Sequence, residues 1–184
     1  MLSIVIYLSF SVKNKYFHMN FDAFSHGQVE SKIWLCEQLE PYLPREPNIV
    51  NPGGWYNVLG FMLKVRNPKR NLKITNLDID PDTKPIADRI CDAWQGTVRH
   101  QTLDANTARI ADYNVVINCS AEHFESAEWF DNIAPGTLVC IQSSNVDDAE
   151  YPWLVNLPNP TQEDFLKRYP LASTFYSGVL DFNY

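Results

Sequence analysis

A chain of 184 residues with 15 basic and 22 acidic side chains, net charge -7, has the length of one domain and lacks the positive field that holds a phosphate backbone or an anionic membrane. Its four cysteines, Cys36, Cys91, Cys119 and Cys140, stand singly without CxxC spacing, which argues against a zinc site or a disulfide framework and for reduced, cytoplasmic thiols. A small ligand fits this balance better than nucleic acid, and no metal is expected.

The opening run MLSIVIYLSFSV is too short for a bilayer span and lacks the basic start and cleavage site of a signal peptide. Residues 1–18 are expected to be an extension upstream of Met19 or an added edge strand, and residues 19–184 a single domain. From Gln28 to Leu43, the residues Ile33, Cys36, Leu39 and Leu43 recur at helical spacing, and Pro44 with Pro47 end that helix before a short strand, NIVN, at 48–51. A glycine turn, NPGGWYN at 51–57, leads into a second helix carrying Val58, Leu59, Met62 and Leu63. LKITNLD at 72–78 reads as the next strand, followed by a helix that Asp80 or Asp82 can cap and on which Ile86, Ile90 and Trp94 share a face. TVRHQTL at 97–103, the run Val115–Ile117 and GTLVCIQ at 136–142 are further strands, with a helix in SAEWFDNI between the last two. STFYSGVLDFNY at 173–184 resembles a sixth.

This order predicts an α/β fold of Rossmann-like type: a three-layer α/β/α sandwich around a mostly parallel sheet of about six strands, without a C-terminal antiparallel strand. Ligands of such sheets sit at the carboxyl ends of the strands. Candidate residues are therefore sought there.

The first of these ends is the turn with Gly53 and Gly54, where free N–H groups favour an anionic group, or which is a plain tight turn. About 20 residues on, the second strand ends in Asp78, which either accepts hydrogen bonds from ribose hydroxyls or serves as a turn residue. Asp104 closes the third strand, facing a bound base or forming an Asx turn. Beyond the fourth strand, NCSAEHF offers Asn118, Ser120, Glu122 and His123 where a second substrate would sit. His123 is a base near neutral pH, whereas Ser120 can equally cap the next helix and leave Glu122 and His123 as solvated first-turn residues. QSSN at 142–145 with Tyr151, Pro152 and Trp153 could form a lid or wall with Trp55 and Tyr56. Trp129 reads as packing, His100 as a core histidine, and Cys119 and Cys140 as inert buried thiols.

The succession NIVNPGGWYN, ITNLDIDP, QTLDAN, DYNVVINCS and PGTLVCIQ resembles the strand-end motifs of class I S-adenosylmethionine-dependent methyltransferases, over about residues 28–182. The resemblance implies that Gly53 and Gly54, with Asn51, Trp55 and Tyr56, wrap the methionine part of S-adenosyl-L-methionine. Asp78, with Ile79 beside it, would hold the ribose; Asp104 and Ala105 would lie near adenine; and Asn118 to His123 would face the methyl group. An acidic residue often found at the start of the first-strand motif is replaced here by Asn51, and the chain stops where the family's seventh strand would begin. LDIDP with a glycine-poor loop also looks somewhat like nicotianamine synthases. The implied activity is methyl transfer to an acceptor that the sequence does not name. The rival readings are a nicotinamide-dependent oxidoreductase, which calls for a fuller glycine fingerprint, and a binding protein that keeps the fold without catalysis.

Overall fold

The computed structural model describes residues 19–144 and 155–180. Five runs form strands, β4 and β5 the most apolar of them: β1 (Asn48–Pro52), β2 (Lys73–Asp78), β3 (Val98–Thr102), β4 (Val115–Asn118) and β5 (Leu138–Ile141). All pair in parallel, in the order β3-β2-β1-β4-β5. Parallel strands covered on both faces read as continuous apolar runs rather than alternating ones, and β4 is buried at all four positions.

The helices are α1 (His26–Leu39), α2 (Val58–Arg66), α3 (Thr83–Ile90), α4 (Glu128–Asp131) and α5 (Gln162–Arg168). Successive strand residues point to opposite faces, so the sheet has two cores. Ile49, Ile74, Val98 and Ile117 pack with Leu35, Cys36 and Leu39 of α1 and Leu59 and Leu63 of α2. Val50, Leu77 and Val116 pack on the other side with Ile110, Trp129 and Tyr169.

The first expected helix ends earlier than its apolar spacing suggests. The α-helix stops at Leu39 and a 3-10 turn, Glu40–Tyr42, carries the chain to Pro44, because Pro41 has no N–H to continue the ladder. Trp94 likewise lies in a 3-10 turn after α3, not on it. The sixth strand is corrected: residues 173–180 pair with no strand. Their aromatic residues, which gave the segment its strand-like look, pack on the first helical region. Phe175 stacks on Tyr42 at 5.5 Å and Tyr176 meets Trp34 edge-on at 6.0 Å. The expected N-terminal extension, Asn145, the lid residues Tyr151, Pro152 and Trp153, and residues 181–184 of the expected sixth strand lie outside the described residues.

The chain steps outward from β1 through β2 to β3, then returns across the sheet to β4 and β5 on the other side of β1. The carboxyl ends of β1 and β4 thus flank the switch point, where open parallel sheets hold ligands.

Candidate functional site at the sheet switch point

The loop after β1 turns sharply through left-handed backbone at Gly53 (φ 64°), Trp55 (φ 47°) and Asn57 (φ 59°). Positive φ is costly for tryptophan, so contacts must hold this loop in place. The Gly54 N–H donates to the Leu77 carbonyl at 3.1 Å, tying the loop to β2. A Cβ at Gly54 would fall 1.8 Å from Asn76 Oδ1 and 2.1 Å from Asn51 Nδ2, so only glycine lets the backbone lie this low over the sheet.

Beneath Gly54 runs a feature that sequence reasoning missed. Asn51, Asn76 and His100 stand in register on neighbouring strands and face the same side, all at least 95% buried. Asn51 Nδ2 donates to Asn76 Oδ1 at 2.7 Å, and Asn76 Nδ2 donates to the Trp55 carbonyl at 3.0 Å and meets His100 Nδ1 at 2.8 Å. His100 Nε2 lies 3.2 Å from Thr83 Oγ1, whose own proton goes to the Asp80 carbonyl at 2.7 Å. The Thr83 oxygen must then accept, so His100 carries its proton on Nε2 and accepts at Nδ1. That neutral tautomer sets the orientation of the whole row. Burial pushes the His100 pKa down to about 4; Asp88 and Lys84 on α3 act on it in opposite directions. The only signal in the sequence was an asparagine interrupting each of two apolar runs, NIVNP and KITNLD.

The row also accounts for Asn51 where a carboxylate was expected. An aspartate there would set an oxygen against Asn76 Oδ1, and Asn76 cannot flip without losing Trp55 and His100. The Asn51 Oδ1 is left buried with no partner.

Asp78 ends β2 half-buried. Its Oδ2 accepts the Trp55 N–H at 2.8 Å and its Oδ1 the Asp80 N–H at 3.0 Å, so the carboxylate clamps the loop and forms the next turn while keeping acceptor capacity. Burial raises its pKa, with those backbone donors opposing. Asp80 and Asp82 build the turn into α3 without a side-chain cap: Asp80 Oδ1 accepts from Asp82 N–H at 2.9 Å. Ile79 is exposed, and Tyr56 is buried, stacked against Trp55 at 4.9 Å and accepting the Asn20 N–H at its hydroxyl. Asp104 forms the Asx turn, its Oδ1 accepting the Asn106 N–H at 2.9 Å above a buried Ala105. A backbone bond from the Leu103 N–H to the Asp78 carbonyl keeps this third strand end beside the second.

The fourth strand end meets the first. Ser120 stands where a helix cap would, yet its hydroxyl donates to the Gly53 carbonyl at 2.8 Å instead, joining the two loops. A Cβ on Gly53 would lie 2.8 Å from that hydroxyl and 2.7 Å from Phe124. Asn118 is fully buried; its Oδ1 accepts the Ser120 N–H while its Nδ2 has no partner. Glu122 is not a solvated first-turn residue: only 8% exposed, it leaves Oε2 without a partner, and its Oε1 lies 3.9 Å from Nε2 of the more exposed His123. Behind it, Trp129 and Tyr169 are fully buried, with ring centroids 5.7 Å apart. Both Trp129 Nε1 and the Tyr169 hydroxyl lack partners. Burial raises the Cys119 thiol and pushes Cys140 up to about 12, which keeps both protonated.

Two clefts of about 240 and 230 Å³ lie elsewhere, one between α3 and β3 near Lys84 and Gln95, the other under the β3–β4 connection near Arg109. Neither is lined by Gly53 or Gly54, although Asn57 at the end of the turn and His100 beneath it border the first. Among the described residues no His, Cys, Asp and Glu cluster has metal-binding geometry, and no helix is long and apolar enough to cross a membrane.

No family profile and no curated protein matches the chain. Solved structures do. Geranyl diphosphate C-methyltransferase from Streptomyces coelicolor A3(2), in complex with Mg2+, geranyl diphosphate and S-adenosyl-L-homocysteine, matches with TM-score 0.60 and 11% identity over 77% of this chain and 58% of its own. A nicotianamine synthase in complex with S-adenosylmethionine matches with TM-score 0.51 and 12% identity over 68% of this chain and 51% of its own. The fold is that of the class I S-adenosylmethionine-dependent methyltransferases. A candidate sarcosine dimethylglycine methyltransferase from Galdieria sulphuraria shares this methyltransferase fold with TM-score 0.55 and 14% identity, over 68% of this chain and 52% of its own. The chain thus spans about half the length of such neighbours. The likeness to nicotianamine synthases expected from LDIDP holds for the fold.

Proposed function

We propose that the chain is an S-adenosylmethionine-dependent methyltransferase domain whose cofactor lies across the β1–β4 switch point. The observation that carries this reading is the convergence there of a glycine turn held from below, the Asp78 carboxylate clamped to that turn, and two buried polar atoms without partners, Asn51 Oδ1 and Asn118 Nδ2. These residues fit a ligand bearing ribose hydroxyls and a polar amino-acid end. Asp78 has lone pairs left for the hydroxyls, and Asn51 and Asn118 supply an acceptor and a donor. Ile79 and the segment Asp104–Ala105 flank the place of the base, and Trp55 and Tyr56 wall the loop.

When bound, the cofactor supplies a methyl group on a sulfonium that leaves as a neutral thioether, so alignment of the acceptor does most of the work. The part left to the protein is a proton. Glu122, buried and unpartnered at Oε2, is the group proposed to take it from the acceptor, with Asn118 and Ser120 positioning the loop and His123 passing the proton toward solvent. The structural neighbours, crystallised with S-adenosylmethionine or S-adenosylhomocysteine, support the cofactor class. A nicotinamide cofactor is disfavoured because Gly53, Gly54 and the later Gly60 do not make the full glycine fingerprint by which dinucleotide-binding folds turn tightly, approach the pyrophosphate and pack the helix.

Calorimetric titration of the chain with S-adenosylmethionine, S-adenosylhomocysteine and NAD tests the reading. Binding of the two sulfur nucleosides alone is the expected result. Well-folded protein that binds neither would overturn it and favour the non-catalytic alternative.

A further inference from the structure

Two buried lysines, Lys32 and Lys64, are not used by the function proposed above; Lys64 bonds to the Leu72 carbonyl and the Thr97 hydroxyl, before β2 and β3 begin and so at the opposite end of the sheet from the proposed site. Lys32 lies on the inner side of α1 and is only 8% exposed. Its Nζ bonds to the Gln28 carbonyl, at 3.3 Å, and to Gln28 Oε1, one turn back on the same helix. None of the ion pairs among the described residues includes it. An ammonium withdrawn from water needs an anionic partner, and an amide and a carbonyl neutralise nothing.

Its place in the fold is defined by its neighbours. The Ser31 carbonyl accepts a hydrogen bond from Gln142 Nε2 at 3.3 Å, which pins this turn of α1 over the end of β5. The Lys32 charge also acts on the Cys119 thiol, lowering a pKa that burial raises, so it stands near the residue just past β4. Leu35, Cys36 and Leu39 of the same helix pack on Ile49 and Ile117, the face of the sheet on which Asn51 lies. A cation with no ion pair among the described residues, although the Glu122 carboxylate also acts on Cys119, and an acceptor without a donor, Asn51 Oδ1, therefore occupy one side of the switch point.

We infer that Lys32 is the receptor for a carboxylate at this site, and that the carboxylate is the amino-acid end of the nucleoside cofactor, whose ammonium group meets Asn51 Oδ1. The inference rests on the proposed function. It explains why a lysine, rather than an apolar residue, sits on the inner face of α1. It also makes the cofactor's amino-acid end, not only its nucleoside, a determinant of affinity.

The test compares S-adenosylhomocysteine with 5′-methylthioadenosine, which has the same nucleoside and a thioether but no amino-acid end, on wild type, Lys32→Met and Lys32→Arg. Wild type is expected to prefer S-adenosylhomocysteine by tenfold or more. Lys32→Met should remove most of that preference while changing 5′-methylthioadenosine affinity less than twofold, and Lys32→Arg should restore part of it. Thermal melting of the free protein is expected to show Lys32→Met at least as stable as wild type, since the variant relieves an uncompensated buried charge. Equal losses for both ligands, or no loss for either, would overturn the inference while leaving the cofactor assignment standing. Wild-type protein that binds neither compound would sink both together.

Discussion

The two sides of the sheet handle buried polarity in opposite ways. On one side, Asn51, Asn76, His100 and Thr83 form a row in which every bond has a defined direction, and only Asn51 Oδ1 is left over. On the other, Asn118, Trp129 and Tyr169, with Glu122 at the sheet's end, each bury a polar atom that no described residue satisfies. An unmet buried group costs about 1–3 kcal/mol, so the second arrangement is tolerable only at a site where something else supplies the bonds. The difference teaches that the support of the glycine loop is organised in advance by the chain itself, whereas the end of β4, where Asn118 is proposed to meet the cofactor and Glu122 the acceptor, leaves polar atoms for a ligand to complete.

The largest effect should come from breaking the row. Asn76→Leu keeps the volume but orphans Asn51 Nδ2, the Trp55 carbonyl and His100 Nδ1, and is expected to cost about 4 kcal/mol in urea unfolding. A loss under 1 kcal/mol would mean that the row is ornamental.

Acid should reveal the same network more gently. The folded pKa of His100, about 4, lies below its ordinary value of 6.5, so between these values the unfolded chain binds more protons than the folded one. The stabilisation is fully present above pH 6.5 and lost as pH falls toward 4, to the extent of roughly 3 kcal/mol. His100→Gln can still accept from Asn76 and donate to Thr83 but has no site to titrate. Its acid slope should therefore be the shallower of the two, and identical slopes would refute the lowered His100 pKa.

Asp78→Ala probes where the prepared half touches ligand. Affinity for S-adenosylhomocysteine should fall about tenfold, or 1.4 kcal/mol, through loss of charge-assisted bonds to the ribose. Because the same carboxylate holds the Trp55 N–H, some of that loss belongs to loop order, and 5′-methylthioadenosine should suffer equally. The smallest effect is expected on the opposite side. Tyr169→Phe removes a buried hydroxyl without a partner, so the free protein should keep its stability or gain up to about 1 kcal/mol. A clear destabilisation would show that the protein satisfies this hydroxyl after all.

Much of this architecture was legible along the chain. The strands expected at 48–51, 72–78, 97–103, 115–117 and 136–142 lie at Asn48–Pro52, Lys73–Asp78, Val98–Thr102, Val115–Asn118 and Leu138–Ile141, within two residues at each end, because apolar and β-branched residues suit the covered faces of a parallel sheet. Glycines after β1 and an aspartate closing β2 marked the switch point for equally local reasons, the one backbone freedom and the other a carboxylate at a strand end. The segment 173–180 misled because aromatic residues pack just as well on a helix as in a sheet, and periodicity does not say against what. Ser120 misled in a related way: its position before a helical turn suits a cap, but a hydroxyl bonds to the nearest unmet acceptor, here the carbonyl of Gly53 some 67 residues earlier.

What the sequence by itself determined is the list and order of elements and the strand ends at which chemistry must lie, since both follow from the spacing of neighbours along the chain. The tertiary structure alone decided which of those ends touch. Register across three strands turned two unremarkable asparagines and a histidine into the support of the glycine loop. Packing of α1 left Lys32 buried without an acid, and burial turned Glu122 from a surface residue into the candidate base. Hydrogen-bond direction and desolvation depend on atoms brought together from 25 to 111 residues apart, and no local pattern records them.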